Sequence, residues 1–359
     1  MKNWVKDKIS IKNLVIFFII VTAGLVLAEI SKVKIPTSYY QTQLEAARTM
    51  MDSLLVIREE REKKGIPIDT KIDPNKTGII GEEYTPLTTT LGNLEAKRTS
   101  ANPDFAALMV KYFQQAGLGE GDIVAIGASG SFPGLIIATL SACKAMNITP
   151  LIIYSIGASE YGANIPAFTF IDMLKILNEK EILPYKLLAV SMGGNNDQAE
   201  AMFYPDAKEL IMDIAQSADT IFINVTNLAE NIQKRMELYQ QASANKAISL
   251  FVNIGGASPN YGNTPASITY PNGLVIDGPE IPDHPERGLI FEFQALEIPV
   301  IHLLNIRDLA LKNGIPIDPV PLPEIGRSEV FFEYRYQKWI IIFTIFIALA
   351  YLIFLKRIK

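Results

Sequence analysis

Cysteine and histidine are both scarce in this chain of 359 residues. Cys143 is the single cysteine, so an intrachain disulfide is excluded. His284 and His302 are the two histidines, so a histidine-rich metal site is excluded, and no metal or other cofactor is predicted. Any histidine-dependent catalysis must therefore use one of these two residues.

An excess of positive charge is also lacking. The sequence has 33 Lys and Arg residues against 38 Asp and Glu residues, which gives a net charge of −5 at pH 7. Proteins that bind nucleic acid neutralise phosphates with lysine and arginine, so nucleic acid is not predicted as a partner. The acidic balance also argues against extended binding of a polyanion, and any anion site should be local.

Hydrophobic residues make up 49% of the chain, and the excess lies at its two ends. Residues 14–28 and 339–355 are apolar almost throughout. With flanking residues, each run reaches the ~20 residues that cross a bilayer. Tyr334, Tyr336 and Trp339 form an aromatic entry to the second run, which is typical of a membrane interface. Two transmembrane helices are therefore predicted, with the lipid bilayer as their partner.

The positions of the basic residues predict the orientation of these helices. Lys2, Lys6, Lys8 and Lys12 precede the first run, and the tail at 356–359 is basic. The positive-inside rule then places both termini in the cytoplasm and the chain between the helices outside it. Alternatively, the first run is a cleaved signal peptide, because residues 26–28 resemble a signal peptidase site. The second run anchors the protein in either case.

The intervening chain divides by composition. Leu44, Met51 and Leu54 recur at helical spacing, so a helix that lifts the domain off the membrane is predicted before Gly65. The predicted organisation is a tail and transmembrane helix at 1–30, a helical stalk or linker at 31–72, an α/β domain outside the cytoplasm at 73–320, a linker at 321–337, and a transmembrane helix with a basic tail at 338–359.

From residue 102 onward, short apolar runs rich in β-branched residues alternate with helical patterns. This alternation predicts parallel strands covered by helices on both faces. The expected fold is therefore α/β, with an open, doubly wound, mostly parallel sheet between the two terminal helices. The predicted strands are 123–126, 151–154, 187–190, 220–225, 248–254 and 300–304.

Polar, glycine-rich turns follow five of these strands directly. Ligands of doubly wound sheets bind outside the carboxyl ends of the strands, so these turns predict a polar cleft. Ser159 and Asn195 are candidate ligand-binding residues on two of them. The turns lie at 127–134, 155–161, 191–197, 224–227 and 255–258.

The turn at 127–134 (Gly-Ala-Ser-Gly-Ser-Phe-Pro-Gly) admits three interpretations. In the first it is a nucleophile elbow with Ser129 as the nucleophile, although Ser131 stands where that motif has glycine. In the second, the amides of Gly127 and Gly130, with the serine hydroxyls, hold a phosphate or carboxylate at the start of a helix. In the third it is a tight turn whose serine caps the helix.

A serine nucleophile at 129 or 131 needs a base. His284 lies in a polar loop and is the preferred candidate, whereas His302 lies in an apolar run and is as readily explained as a core residue. A Ser–Lys arrangement with Lys97 as the base is the alternative.

Residues 73–104 form a long segment too polar for a core strand and too rich in helix breakers for a helix. Long irregular loops in compact domains are often functional. Lys97 and Arg98 are candidate ligands of a carboxylate or phosphate, and Glu95 is a further candidate binding residue. Glu82 and Glu83 are candidates for a cation site or for acid/base chemistry, and a solvated connector is the competing interpretation.

Residues 81–174 resemble a bacterial family known as poly-γ-glutamate system proteins. The resemblance rests on Thr-Thr-Thr-Leu-Gly-Asn-Leu-Glu-Ala-Lys-Arg-Thr at 88–99, Asn-Pro-Asp-Phe-Ala-Ala-Leu at 102–108, the 127–134 turn, and Ser-Ile-Gly-Ala-Ser-Glu-Tyr-Gly-Ala-Asn at 155–164. It implies a place in the machinery that makes and exports poly-γ-glutamate at the bacterial inner membrane. The resemblance does not assign a role to any individual residue.

The function expected from this resemblance is that of a membrane-anchored accessory component. It would bind poly-γ-glutamate, or another small anionic ligand, and other membrane subunits of the system outside the cytoplasm. The alternative is a serine hydrolase or transpeptidase that acts on the γ-glutamyl polymer with Ser129 as nucleophile. Whether the chain is an enzyme is left open by the sequence.

Overall fold

The computed structural model describes residues 10–200, 202–244 and 246–357. The chain forms two units. One unit consists of the two ends of the chain, up to Ser38 and from Phe332 onward. The other unit is Tyr39–Phe331. Lys2, Lys6, Lys8 and Lys359, on which the predicted orientation partly depends, lie outside the described residues.

The secondary structure follows in chain order. The helices are α1 (Ile11–Ile30), α2 (Tyr40–Lys63), α3 (Leu94–Ser100), α4 (Asp104–Gln115), α5 (Pro133–Ala145), α6 (Phe170–Glu179), α7 (Ala207–Ser217), α8 (Leu228–Ala242), α9 (Ser258–Tyr261), α10 (Pro265–Ile268), α11 (Leu289–Ala295), α12 (Ile306–Asn313) and α13 (Lys338–Arg357). The strands are β1 (Val33–Pro36), β2 (Ile123–Ser129), β3 (Thr149–Ser155), β4 (Asn164–Ile165), β5 (Phe168–Thr169), β6 (Ala189–Ser191), β7 (Ile221–Ile223), β8 (Leu250–Ile254), β9 (Gly273–Val275), β10 (Val300–Leu303) and β11 (Phe332–Arg335). A short 3₁₀ helix covers Glu329–Phe331.

The unit formed by the chain ends is a pair of apolar helices joined to a small sheet. Helices α1 and α13 each have 20 residues and a mean hydropathy of 2.4, so both are long and apolar enough to cross a membrane. Strand β1, which follows α1, pairs antiparallel with β11, which precedes α13. The two helices therefore run antiparallel, which agrees with both termini lying on one side of the membrane. Which side that is stays a prediction.

Small side chains allow α1 and α13 to approach closely. Gly24 and Ala28 are buried on α1, and Ala348 is buried on α13. A Cβ atom added to Gly24 would lie 2.1 Å from Cγ2 of Thr344, far inside contact distance. Close packing of small residues is the usual basis of helix association in membranes.

We therefore expect Gly24→Leu to separate α1 from α13. The measurement is the yield of a disulfide between Ala28→Cys and Ile340→Cys in membranes, which should fall several-fold. Both positions are buried, and the native Cys143 is buried in another part of the chain. Ala23→Leu, at an exposed position of α1, is the matched control and should leave the yield unchanged. An equal yield in Gly24→Leu would show that the pair does not depend on this contact.

The Tyr39–Phe331 unit is built on a seven-stranded sheet with the order β7-β6-β3-β2-β8-β10-β9. All neighbouring strands are parallel except β9, which pairs antiparallel with β10 at one edge. The predicted doubly wound, mostly parallel α/β fold is thus confirmed. Strand β9 was not predicted, because three residues beginning with a glycine carry no periodic signal.

Helices cover both faces of the sheet because its central strands β2 and β8 are mostly apolar and buried at every residue. Ala125, Ile153 and Phe251 contribute to one buried cluster, together with residues of α8 and α11. Successive side chains of a strand point to opposite faces, so Tyr154 lies on the other side. There its ring contacts Phe170 of α6, with ring centroids 5.4 Å apart.

The segment predicted as a stalk is part of this globular unit. Helix α2 packs on α4 and α5, and Ala46, Ala47 and Met50 on its inner face are fully buried. The apolar spacing that predicted a helix is thus explained by a helix layer of the domain rather than by a free stalk. Likewise, the predicted linker at 321–337 contains the 3₁₀ helix and strand β11.

The order of the strands fixes where a ligand site can form. From central strand β2 the chain proceeds outward through β3, β6 and β7, and then returns to form β8 on the other side of β2. The connections after β2 and β8 therefore diverge to opposite sides, which leaves a crevice at the carboxyl ends of these two strands. Ser129 ends β2, and Gly255 follows β8 at this point.

Candidate functional site

A cavity of about 790 Å³ lies at the carboxyl edge of the sheet. Its walls come from the turns that follow five strands, β2, β3, β6, β8 and β10, and from the segment at 89–97. This is the cleft predicted from the glycine-rich turns. The turn after β7, at 224–227, was predicted to contribute but does not line it.

The irregular segment at 73–104 forms one wall by pairing with the turn after β3. The Thr89 amide donates to the Ala158 carbonyl at 2.8 Å, and the Glu160 amide donates to the Thr90 carbonyl at 3.0 Å. These main-chain bonds replace regular secondary structure and hold Thr89 and Thr90 at the cavity. The end of the segment forms helix α3, which Asn93 caps by accepting from the Ala96 amide, so the prediction that 73–104 contains no helix is wrong here. This helix brings Lys97 to the same place.

Ser129 lies at the crevice between β2 and β8. It is 4% exposed and lines the cavity, and its Oγ has no hydrogen-bond partner in the described part of the chain. A Cβ added to Gly255 would lie 2.5 Å from this oxygen, so the hydroxyl is directed toward the end of β8. Buried hydroxyls are almost always hydrogen-bonded, so Ser129 Oγ is a candidate donor to a group bound in the cavity.

The start of α5 is the second feature of this site. Pro133 is its first residue, and no side chain among the described residues caps it. Because proline has no N–H and the amides of Leu135 and Ile136 donate to the Phe132 carbonyl, only the Gly134 amide of the first turn has no acceptor among the described residues. The partial positive charge of a helix start suits an anion. Ser131 and Phe132, just before the helix, both line the cavity.

Lys97 is the most unusual residue of the cavity. It is 1% exposed although it carries an amine, and its Nζ lies 2.7 Å from Ser159 Oγ and also contacts the Ser131 carbonyl oxygen. The amine lies 4.0 Å from the centre of the Phe132 ring. These contacts come from α3, the 127–134 turn and the turn after β3, so Lys97 joins three separate segments.

Burial changes the acidity of this amine. Loss of solvent around Lys97 lowers its pKa from 10.5 to about 7, although the negative charge of Glu160 opposes the change. Glu160 is itself buried, and its carboxylate accepts a hydrogen bond from the Gly92 amide at 2.8 Å. A lysine with a pKa near 7 can both carry charge and accept a proton at neutral pH.

The rim of the cavity is charged and more exposed. Arg307, at the start of α12, forms an ion pair with Glu95 of α3 at 2.5 Å, and both side chains are largely exposed. Asn195 and Glu200, from the turn after β6, line the same opening. Among the described residues the rim thus has one cation and two carboxylates, so its positive charge is confined to Arg307.

A buried network lies beneath the cavity and fixes the turns after β3 and β6. Arg235 of α8 is fully buried, and its guanidinium contacts Asp197 at 3.1 Å, Ser155 Oγ at 3.0 Å and Ser191 Oγ at 2.6 Å. Asp197 Oδ1 in turn accepts from the Gly193 amide at 2.7 Å. Ser155 and Gly193 both line the cavity, so the network determines the shape of its floor.

Six of the ten predicted site residues line this one cavity: Glu95, Lys97, Ser129, Ser131, Ser159 and Asn195. Two others, Gly127 and Gly130, lie beside the cavity and make backbone contacts there. Gly127 is a buried residue of β2 that pairs with Ile153 and Asn253, and the Gly130 amide donates to the Ser155 carbonyl at 3.0 Å.

Arg98 and His284 are not among the residues that line the cavity. Arg98 donates to the carbonyls of Ile72 and Lys71 and pairs with Asp318 at 3.2 Å, so it braces the irregular segment. His284 is exposed in the loop between β9 and α11, where its Nδ1 accepts from the Glu286 amide at 3.1 Å. The structure therefore does not bring His284 to either serine of the 127–134 turn.

His302 is a core residue of β10. Its Nδ1 lies 2.8 Å from Asn253 Nδ2, and its ring stacks on Tyr261 with centroids 5.7 Å apart. Burial lowers its pKa to about 4, which keeps it neutral near pH 7. Of the two interpretations the sequence left open for this histidine, the structure supports the core one.

Three residues that line or support the cavity walls were not singled out in the sequence: Arg307, Glu160 and Arg235. Arg307 follows the end of β10. It could have been found by the same rule that located the other turns, namely that ligands bind outside the carboxyl ends of the strands. Glu160 lies within a predicted turn, beside Ser159. Nothing in the sequence indicates that Arg235 is buried, because an arginine in a helix such as α8 is usually a surface residue.

No protein-family model matches the chain, and no curated protein or solved structure matches it either. The resemblance to poly-γ-glutamate system proteins therefore remains a prediction from the sequence. What the site can do is argued below from its own chemistry.

Proposed function

We propose that this chain is a membrane-anchored accessory component of poly-γ-glutamate synthesis or export. In this proposal the Tyr39–Phe331 unit lies outside the cytoplasm of a bacterial cell and binds a γ-glutamyl carboxylate in the cavity. The observation that carries the proposal is the buried Oγ of Ser129, which lines the cavity and has no hydrogen-bond partner among the described residues. A carboxylate in the cavity would accept a hydrogen bond from this hydroxyl.

The size and charge of the cavity suit one or a few units of an acidic polymer. A volume of about 790 Å³ is within the range of small-molecule sites. Lys97 at the base, whose pKa of about 7 leaves it protonated in part of the molecules at neutral pH, and Arg307 at the rim give successive carboxylates of one chain separate partners. A ligand carboxylate would bind Arg307 in the position that the Glu95 carboxylate occupies in the ion pair.

The terminal helices support an assembly at the membrane. The pairing of α1 with α13 and of β1 with β11 gives the first helix a structural role, which favours an uncleaved anchor over a signal peptide. Their exposed apolar faces suit lipid and the other membrane subunits of a polymer synthesis system.

In this proposal Ser129 acts as a hydrogen-bond donor and not as a nucleophile. Its hydroxyl contacts no base among the described residues, and His284 lies elsewhere. The alternative of a γ-glutamyl hydrolase with Ser129 as nucleophile is therefore not the one we favour.

Ser129→Ala should weaken binding of γ-linked oligoglutamate about tenfold, because a hydrogen bond to a charged group contributes ~1.5 kcal/mol or more. The measurement is calorimetric titration of the full chain in nanodiscs with γ-tetraglutamate. Ser217→Ala, an exposed serine at the end of α7, is the matched control and should bind like wild type. Absence of binding by the wild-type protein, or equal affinity of Ser129→Ala, would overturn the proposed site.

A further inference from the structure

We propose that Ser159 and Lys97 form a nucleophile–base pair that transfers an acyl group from an amide or ester carbonyl to water. The pair lies in the cavity already described but uses a different serine from the one that the glycine-rich turn suggests. The inference rests on the proposed function only for the identity of the substrate, a γ-glutamyl amide. The reaction itself is argued from the contacts of the two side chains.

The first argument is geometric. Lys97 Nζ lies 2.7 Å from Ser159 Oγ, which is hydrogen-bond distance for direct proton transfer. Its second contact, the Ser131 carbonyl, can only accept a hydrogen bond. A neutral amine satisfies both neighbours by donating one N–H to the carbonyl and offering its lone pair to the Ser159 hydroxyl. This is the arrangement that a general base requires.

The second argument is the setting of the amine. No Asp or Glu lies within ion-pair distance of Lys97 in the part of the chain that the structure describes, and Glu160 acts on it only through space. A purely structural lysine is usually exposed or paired, because burying an unpaired charge is costly. The burial that lowers the pKa of Lys97 to about 7 makes it an effective base at neutral pH.

The third argument is that Ser159 is held in place and remains accessible. Its amide donates to Ser131 Oγ at 3.1 Å, which fixes the backbone, and the residue lines the cavity. Ser129 Oγ supplies a donor for the oxygen of a tetrahedral intermediate in the same cavity. Nucleophile, base and donor thus come from different segments that converge on one cavity.

The reaction follows from these roles. Lys97 takes the hydroxyl proton as Ser159 Oγ bonds to the carbonyl carbon, and the carbonyl π electrons move to the oxygen. When they return, the C–N bond breaks, and the leaving amine takes the proton from the Lys97 ammonium. Water then attacks the Ser159 ester and gives its proton to Lys97. The C–O bond to Ser159 breaks, and Ser159 recovers its proton from Lys97, so the balance is amide plus water to acid plus amine.

The test is labelling of the full chain in nanodiscs with a fluorophosphonate, with the modified residue mapped by mass spectrometry. We expect the label on Ser159, none in Ser159→Ala, and a rate at least ~100-fold lower in Lys97→Met. The wild-type rate should rise with pH through an apparent pKa near 7, and that rise should be absent in Lys97→Met. Glu95, Glu160, Glu200 and Arg307, the other charged groups around Lys97, are present in both proteins, so the comparison isolates the amine.

Ser159→Cys provides a variant that keeps the nucleophile. Its thiol should react with iodoacetamide with the same pH dependence, whereas the buried Cys143 should not react. Ser217→Ala and Lys312→Met, at exposed positions outside the cavity, should label like wild type. Circular dichroism confirms that each variant is folded.

The outcomes separate this inference from the proposed function. Labelling at Ser159 without binding of γ-tetraglutamate would support the pair and overturn the polymer as substrate. Binding of γ-tetraglutamate without labelling, together with a Ser159→Cys thiol of ordinary reactivity, would overturn the pair and leave the binding site intact. Labelling of Ser129 or Ser131 instead would also overturn it.

Discussion

Arg235→Met should lower the free energy of unfolding by roughly 3–5 kcal/mol, the range typical of breaking a buried ion pair on one side. The guanidinium is fully buried and contacts Asp197, Ser155 and Ser191. Methionine fills much of the space but satisfies none of these groups. The Asp197 carboxylate, 1% exposed, would then be a buried charge without its cation.

The measurement is urea unfolding of the full chain in detergent, followed by circular dichroism. Lys234→Met, at the neighbouring exposed position, is the control and should change stability by less than ~0.5 kcal/mol. Hydrogen exchange should accelerate most in the turns after β3 and β6, because Arg235 connects them. Loss of stability without faster exchange there would show that the network does not position the cavity floor.

A second substitution tests whether the charge itself is the cause. Adding Asp197→Asn to Arg235→Met removes the uncompensated carboxylate, so the double variant should be more stable than Arg235→Met alone. Asparagine is suitable because Asp197 has a φ of 62°, a left-handed conformation that asparagine tolerates. Additive losses would instead mean that packing, and not charge, dominates.

Lys97 should make the protein more stable as the pH rises from about 7 to about 10. Burial lowers the pKa of this amine from 10.5 to about 7 in the folded protein. Between these values the unfolded chain binds a proton that the folded protein does not, so the free energy of unfolding increases with pH. The slope approaches ~1.4 kcal/mol per pH unit in the middle of this window and vanishes below it, where both states are protonated.

The quantity to measure is the difference in unfolding free energy between wild type and Lys97→Met from pH 6 to pH 10. Titration of the other groups cancels in this difference, which should grow by ~2–3 kcal/mol between pH 7.5 and pH 9.5. The same comparison with Lys312→Met, whose lysine is largely exposed, should give no such growth. A flat difference for Lys97 would mean that the amine stays charged in the folded state, which would remove the base from the proposed pair.

More of the fold than of the candidate site could be predicted from the sequence. Alternating apolar runs and helical patterns predicted a doubly wound sheet, and six of its seven strands were located. The same reasoning placed the glycine-rich turns at one edge, because parallel strands necessarily end together. It located the helix α2 but assigned it to a stalk, since a helix packed on a domain and a helix forming a stalk can share one apolar spacing.

Side-chain roles were less accessible because they depend on burial and on contacts between distant segments. Arg98 and His284 have the chemistry of site residues but serve other contacts. Lys97 lies between Glu95 and Arg98 in a segment predicted as an irregular polar loop, yet it is a buried residue of helix α3. Only the pairing of residues 87–90 with the turn after β3 brings it to Ser159, 62 residues away in the chain.

The sequence by itself thus determined two apolar terminal helices, the α/β class and a polar edge with Ser129, Ser131 and Lys97 among its candidates. These are consequences of local periodicity and of the rule that a parallel sheet collects its carboxyl ends. The tertiary structure decided that Ser129 contacts no base among the described residues, that Lys97 faces Ser159, and that Arg235 supports the floor. Each of these depends on which groups are buried on folding. Burial is set by contacts between distant segments, so it cannot be read from a local stretch of sequence.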